Sequence, residues 1–257
     1  MVYTSSWFTV EKIDSHTFSI SEYQHWEETH CYLLCGQYKA VLIDTGLGIA
    51  NIRYIVDKLT TLPVTVFTTH VHWDHIGGHK LFERIAVHEL EKNWIAGGFP
   101  LSLNDVKEQL IKAQSVFPKE FNIDSYQFYQ GEPSFLLHDG DSFDLSGRTI
   151  RVIHTPGHSP GHCCFYEPER KYLYSGDLIY KGCLDAFYPS TDPHLFHQSV
   201  KRLMDYDISK VFPGHHDLDI PVSLISEIEA DFSQLERCGQ LKQGNGLFEF
   251  GNITIHI

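Results

Sequence analysis

His70, His72, Asp74 and His75 stand in the run Thr69-His70-Val71-His72-Trp73-Asp74-His75, which packs three imidazoles and a carboxylate into a few positions. Neutral imidazole suits zinc and similar borderline metals, and a carboxylate adds negative charge to the donor set. Such a run can serve two metal ions and the water between them, which is hydrolytic chemistry. A merely polar, histidine-rich loop is disfavoured. The run directly follows the apolar, β-branched stretch Val64-Thr65-Val66-Phe67-Thr68, and polar groups buried there without partners are costly.

The elements that must position these side chains follow from the same pattern. Val64 to Thr69 reads as a buried strand. Residues two apart in an extended segment face the same way, so His70 and His72 can reach one ion. Asp74 and His75 follow where the chain turns before Gly77-Gly78, and can face a second ion. One loop cannot complete two coordination spheres. Three later stretches share one grammar of strand, glycine turn and ligand-type side chain: His154-Thr155-Pro156-Gly157-His158-Ser159-Pro160-Gly161-His162 after Thr149 to Ile153, Leu173-Tyr174-Ser175-Gly176-Asp177, and Val211-Phe212-Pro213-Gly214-His215-His216. Ligands at the ends of neighbouring strands converge at a sheet edge. The residues alone leave open which of His154, His158 and His162, and which of His215 and His216, would bind.

In order, H-x-H-x-D-H at 70–75, T-P-G-H at 155–158, S-G-D at 175–177 and P-G-H at 213–215 resemble the motifs of the metallo-β-lactamase superfamily, and Val41-Leu42-Ile43-Asp44-Thr45-Gly46 resembles its first motif. These matches run from residue 41 to residue 215. The resemblance implies the α/β class: a four-layer αββα metallo-β-lactamase sandwich with a dinuclear metal site at one edge of the two sheets. It implies that His70, His72 and His158 hold the first metal, that Asp74, His75 and His215 hold the second, and that Asp177 bridges them. Motif position selects His158 and His215 from their neighbours; His162 then supports the loop or the sheet, and His216 faces the substrate pocket or solvent. Asp44 would orient the ligand loop without touching metal. The implied cofactors are two divalent ions, zinc first, with iron or manganese as alternatives. A hydroxide bridging them would attack a carbonyl, with Asp74 orienting it and handling its proton. Tyr180, similar in placement to a Tyr of the acyl-homoserine lactonases, is the candidate oxyanion donor, set against a plain packing role at a strand end.

Departures from particular branches narrow the substrate. Asp177 stands where classical β-lactamases have Cys, and His75 where many of them have Arg. Glyoxalase II matches the ligands but resembles a longer chain with a helical glutathione-binding extension; only 42 residues follow His215. The flavodiiron branch has Glu where this chain has His72. Tyr174 to Leu184, with Ala86-Val87-His88 and the acidic segment after it, resembles the acyl-coenzyme A thioesterase branch. The chain is thus placed beside the glyoxalase II and acyl-CoA thioesterase-like branches. The expectation is a dinuclear zinc hydrolase of a thioester, acyl-CoA or related. A lactonase is the alternative, followed by an iron-dependent oxidoreductase like the persulfide dioxygenases.

Composition agrees with one domain over 1–257, 42% hydrophobic and 21% charged, with no linker or repeat. The net charge of −13 argues against nucleic acid, which needs a basic stripe. No apolar run approaches the ~20 residues of a membrane span. Met1-Val2-Tyr3-Thr4-Ser5-Ser6 lacks the basic segment and apolar core of a signal peptide. Six cysteines without C-x-x-C read as reduced thiols in a cytoplasmic protein. The expected partner is a small-molecule substrate, and a homodimer is allowed. Helices are predicted over Asn51 to Leu59, Glu89 to Ile95, Leu103 to Val116, Pro193 to Tyr206 and Val222 to Leu241. Strands are predicted at Cys31 to Leu34, Ala40 to Ile43 and Ile85 to His88, and Phe248 to Ile255 reads as a hairpin or edge strand. Residues 89–130 form an aromatic-rich helical insert near the active site, read either as outer packing or as a lid that chooses substrate.

Overall fold

The computed structural model describes residues 3–4, 7–113 and 115–257. The segment read above for a signal peptide lies outside them, apart from Tyr3–Thr4. The chain divides into an N-terminal unit, Met1–Leu137 with Asp144–Arg148, and a C-terminal unit, His138–Phe143 with Thr149–Ile257.

The N-terminal unit is built on one eight-stranded sheet. Its strands β1 (Tyr3–Thr4), β2 (Thr9–Asp14), β3 (Thr17–Ser21), β4 (His30–Cys35), β5 (Ala40–Ile43), β6 (Val64–Phe67), β7 (Ile85–His88) and β8 (Phe135–Leu137) lie side by side in chain order. β1 to β5 pair antiparallel, each strand with the next in the chain. From β5 to β8 the pairing is parallel. The switch has a cause in the sequence. Asn51 accepts the Tyr54 N–H and starts helix α1 (Ile52–Leu59), which buries Ile52, Ile55 and Val56 and returns the chain so that Ala40 pairs with Val64. β4 and β5 are buried at every residue and read as continuous apolar runs for that reason. A four-residue helix α2 (Trp73–Ile76) follows β6.

The insert departs from its expected helices. Glu89 to Ile95 is not one helix: a 3-10 turn at Glu89–Glu91 is followed by a wide turn at Trp94–Gly98, where Gly97 takes φ +117°. That backbone angle is open to glycine and ends a helix. Helix α3 (Leu103–Ile111) begins on a Ser102–Asp105 capping box but stops short of Val116. Val106 and Leu110 are its buried contacts, whereas Ile111 and Val116 are exposed. A longer helix would have no apolar face to bury, and packing supplies most helical stability.

The C-terminal unit carries the remaining strands: β9 (Ser142–Asp144), β10 (Thr149–His154), β11 (Cys163–Glu167), β12 (Tyr172–Gly176), β13 (Gly182–Asp185), β14 (Lys210–Pro213), β15 (Leu247–Phe250) and β16 (Ile253–His256). Five make a sheet in the order β14-β12-β11-β10-β9. β12 and β14 are parallel because helix α4 (Pro193–Leu203), capped by Asp192, carries the chain between them. Helix α5 (Leu224–Arg237) buries Ile225, Ile228, Phe232 and Leu235. It ends before Leu241, where Gly239 takes φ +67°. The expected hairpin is present as β15–β16, and a third strand joins it: β13 pairs in parallel with β16. Among the described residues no helix is long and apolar enough to cross a membrane.

Candidate metal centre

Strand β6 ends at Phe67, and the ligand run follows as loop and then α2. His70 and His72 therefore lie beyond the strand, not along it; the turn into α2 brings the run together. His72 is extended (φ −112°, ψ 154°) and the next residue is already helical. His70 Nε2 and His72 Nδ1 face each other at 3.0 Å. The His70 and His75 rings lie 4.2 Å apart, and His75 Nε2 is 3.6 Å from Asp74 Oδ2. All four candidate ligands of this unit are thus gathered in one place.

Asp44 organises them. It takes a left-handed φ of +58° at the end of β5. Its Oδ1 accepts the Thr69 N–H at 2.8 Å, and its Oδ2 accepts the Thr69 hydroxyl at 2.7 Å and His75 Nδ1–H at 2.9 Å. Thr69 has one hydroxyl proton, already given to Asp44, so towards His70 Nδ1 at 3.0 Å it can only accept. The network thereby sets the Nδ1–H tautomer of both rings and leaves each Nε2 with a lone pair, His70's towards His72 and His75's towards Asp74. In the His70–His72 pair a lone pair thus faces a second ring nitrogen, an arrangement that a cation satisfies.

Three further side chains here have no motif to announce them. His79 is buried between Thr45 Oγ1 at 2.6 Å and Thr68 Oγ1 at 2.8 Å, tying the Asp44 turn to the end of β6. Burial, and then the neighbouring His75, push its pKa down to about 3, so it is a neutral cross-link. Buried Glu91 accepts the Val71 N–H between His70 and His72. Glu22 accepts Trp7 Nε1–H at 2.6 Å and the Leu47 N–H at 2.8 Å, and burial raises its pKa to about 7. The insert also reaches the ligands: the Trp94 ring stacks beside His72 at 6.2 Å, and Phe99 lies 6.1 Å from the same ring.

The C-terminal unit gathers the other three. After β10 the chain turns at Gly157, whose φ is +135° and where a Cβ would sit 2.2 Å from Phe196 N, so only glycine fits. The next residue, His158, gives its Nδ1–H to the Asp185 carbonyl at 3.2 Å. Its Nε2 lies 3.4 Å from Asp177 Oδ2, and His215 Nε2 lies 3.2 Å from the same oxygen. Gly214 permits that approach, since a Cβ there would meet Asp177 Oδ1 at 2.6 Å. Two imidazole nitrogens and a carboxylate oxygen converge, a donor set that a cation suits.

The alternatives to these histidines have other work. His162 Nε2 accepts the Asp177 N–H at 3.1 Å while its Nδ1–H donates to Thr155 Oγ1 at 2.8 Å, so it positions the Asp177 turn. His154 Nε2–H donates to the Pro160 carbonyl at 2.9 Å and braces the loop. His216 takes φ +63°, with its ring 6.0 Å from Tyr180. Tyr180 is buried 5.7 Å from the His215 ring, and its hydroxyl donates to the Cys183 carbonyl.

Comparison with known proteins adds a context. A family model described as the metallo-beta-lactamase superfamily matches residues 26–215. The chain is 30% identical over 231 residues to the acyl-coenzyme A thioesterase MBLAC2 of Bos taurus, covering 81% of each chain. It is 29% identical over 231 residues to the protein of that name from Homo sapiens, again covering 81% of each. A solved metallo-beta-lactamase from Pontibacter korlensis superposes with a TM-score of 0.66 at 20% identity, over 88% of this chain and 99% of that one.

Proposed function

The chain belongs to the metallo-beta-lactamase superfamily, and we propose that it hydrolyses the thioester of acyl-coenzyme A or a related thioester. Membership carries the α/β metallo-β-lactamase fold and a hydrolase activity. The finer reading rests chiefly on one observation: the relatives named acyl-coenzyme A thioesterase align over four-fifths of both chains, 81% of each. The aromatic rings of Trp94 and Phe99 beside His72 support it, because an acyl chain needs an apolar wall.

The donor set suits two divalent ions. His70, His72 and His158 would hold one, Asp74, His75 and His215 the other, and Asp177 both. All are nitrogen or carboxylate oxygen donors, which fit zinc first and iron or manganese next. Bound there, such ions supply carbonyl polarisation and acidify a water. The chain's own residues do the rest. Asp44 and the Asp185 carbonyl keep His75 and His158 in the tautomer whose Nε2 carries the free lone pair. Asp74 orients the attacking water and takes its proton. Tyr180 exchanges its hydrogen bond to Cys183 for the developing oxyanion. Trp94 and Phe99 line the acyl side.

Thiol release from an acyl-CoA series, run beside homoserine lactones and a β-lactam on metal-loaded protein, tests this reading. Thioester turnover should lead by at least about tenfold in kcat/KM. Brisk lactone cleavage with no thioester cleavage would replace it with the lactonase reading. Metal analysis should find at least two zinc ions per chain; one iron with oxygen uptake would indicate the oxidoreductase instead.

A further inference from the structure

We propose that Cys183, Asp185 and His256 form an additional metal site, separate from the two-ion set above, for a thiophilic divalent ion such as zinc. The inference does not depend on the thioesterase reading.

The cluster is a product of strand register. Cys183 and Asp185 are two apart on β13, so their side chains share a face. The parallel pairing sets His256 of β16 opposite Asp185 and Thr254 opposite Cys183. His256 Nδ1 lies 2.9 Å from Asp185 Oδ1, Cys183 Sγ lies 3.8 Å from the same oxygen, and the three potential ligand atoms all lie within 4.8 Å of one another. Tetrahedral bonds of the usual zinc lengths require donor separations of roughly 3.3–3.6 Å, so small rotamer changes close the site. The thiol and the imidazole both point at one carboxylate oxygen. A cation entering there replaces the two shared protons and is met by sulfur, nitrogen and oxygen. Thiolate with imidazole favours zinc-like ions over magnesium or calcium. Asp185 and His256 are about a quarter exposed, at 28% and 25% of their side chains, so the fourth position opens to water or to a small donor. The Phe187 ring stacks on His256 at 4.2 Å and backs one side.

The site would communicate with the hydrolytic residues. The Asp185 carbonyl holds His158, and the Cys183 carbonyl holds the Tyr180 hydroxyl. An ion that draws β13 towards β16 acts on both through two backbone carbonyls.

The proposed two-ion set contains no sulfur, which gives a specific readout. Metal-free full-length protein titrated with cobalt(II) should develop an intense near-ultraviolet thiolate-to-cobalt band besides the weaker visible bands of histidine and carboxylate ligation. Cys183→Ser should abolish the ultraviolet band and remove one equivalent of zinc in equilibrium dialysis, while the visible bands persist as a check on folding. His256→Ala, which keeps the thiol, should weaken the band severalfold. Absence of a thiolate band in the parent protein, or a band that survives Cys183→Ser, would overturn the proposal.

Discussion

Asp44 is the residue on which the N-terminal ligand cluster turns. One carboxylate fixes the Thr69 backbone, the Thr69 hydroxyl and the His75 tautomer, and through Thr69 it fixes His70. Asp44→Asn puts an amide where an acceptor is needed. Metal affinity, followed by competition with a chromogenic chelator, should fall about 10–100-fold with the fold retained; unchanged affinity would make Asp44 a turn residue only. Tyr180 is the second test at this scale. As an oxyanion donor its loss in Tyr180→Phe should lower kcat about 10²-fold with KM and metal content little changed. Unchanged kcat would leave it as the anchor of the Cys183 carbonyl. The ligand-type residues were legible because their spacing is local and their chemistry narrow. Their supports were not: His79, Glu91 and Glu22 act through partners 11 to 34 residues away, reached only after the sheet has formed.

Among the elements, those with a single clear period were readable. Ala40 to Ile43 and Ile85 to His88 are strands over the predicted residues, and α1 differs only by its cap. The insert was not, because its aromatics follow neither helical nor strand spacing. The expected helix over Glu89 to Ile95 gives way to two separate turns, and the rings settle on one another: Phe99 lies 6.2 Å from Trp94 and 5.4 Å from Phe128. That cluster, rather than a helix face, is the wall that the proposed thioesterase would offer to an acyl chain. Phe99→Ala should therefore raise KM for long-chain acyl-CoA several-fold while leaving short-chain KM within about twofold, consistent with ~0.8 kcal/mol per buried methylene. An equal rise for both chain lengths would assign Phe99 to packing alone.

At the scale of the whole molecule, stability should depend on pH through two buried groups of opposite sign. Glu22 holds its proton in the folded protein up to about pH 7, against an ordinary value of 4.5. Below pH 4.5 folded and unfolded chains both carry that proton. From there to pH 7 only the unfolded chain releases it, so stability falls as pH rises, by up to about 3 kcal/mol. His79 is lowered from 6.5 to about 3 and works the other way, costing stability as pH falls between those values. Melting metal-free protein from pH 4.5 to pH 8 should show the alkaline-side decline in the parent and a flatter profile in Glu22→Gln; parallel profiles would rule Glu22 out as its source. The pairing of β13 with β16 has a further consequence for the living chain. Synthesis runs from the N-terminus, and β13 receives its parallel neighbour only when residues 253–256 emerge. Until then the carbonyl that holds His158 belongs to an unpaired strand. A nascent chain stalled before that point would present its histidine motifs without the strand whose pairing steadies the carbonyl beneath one of them.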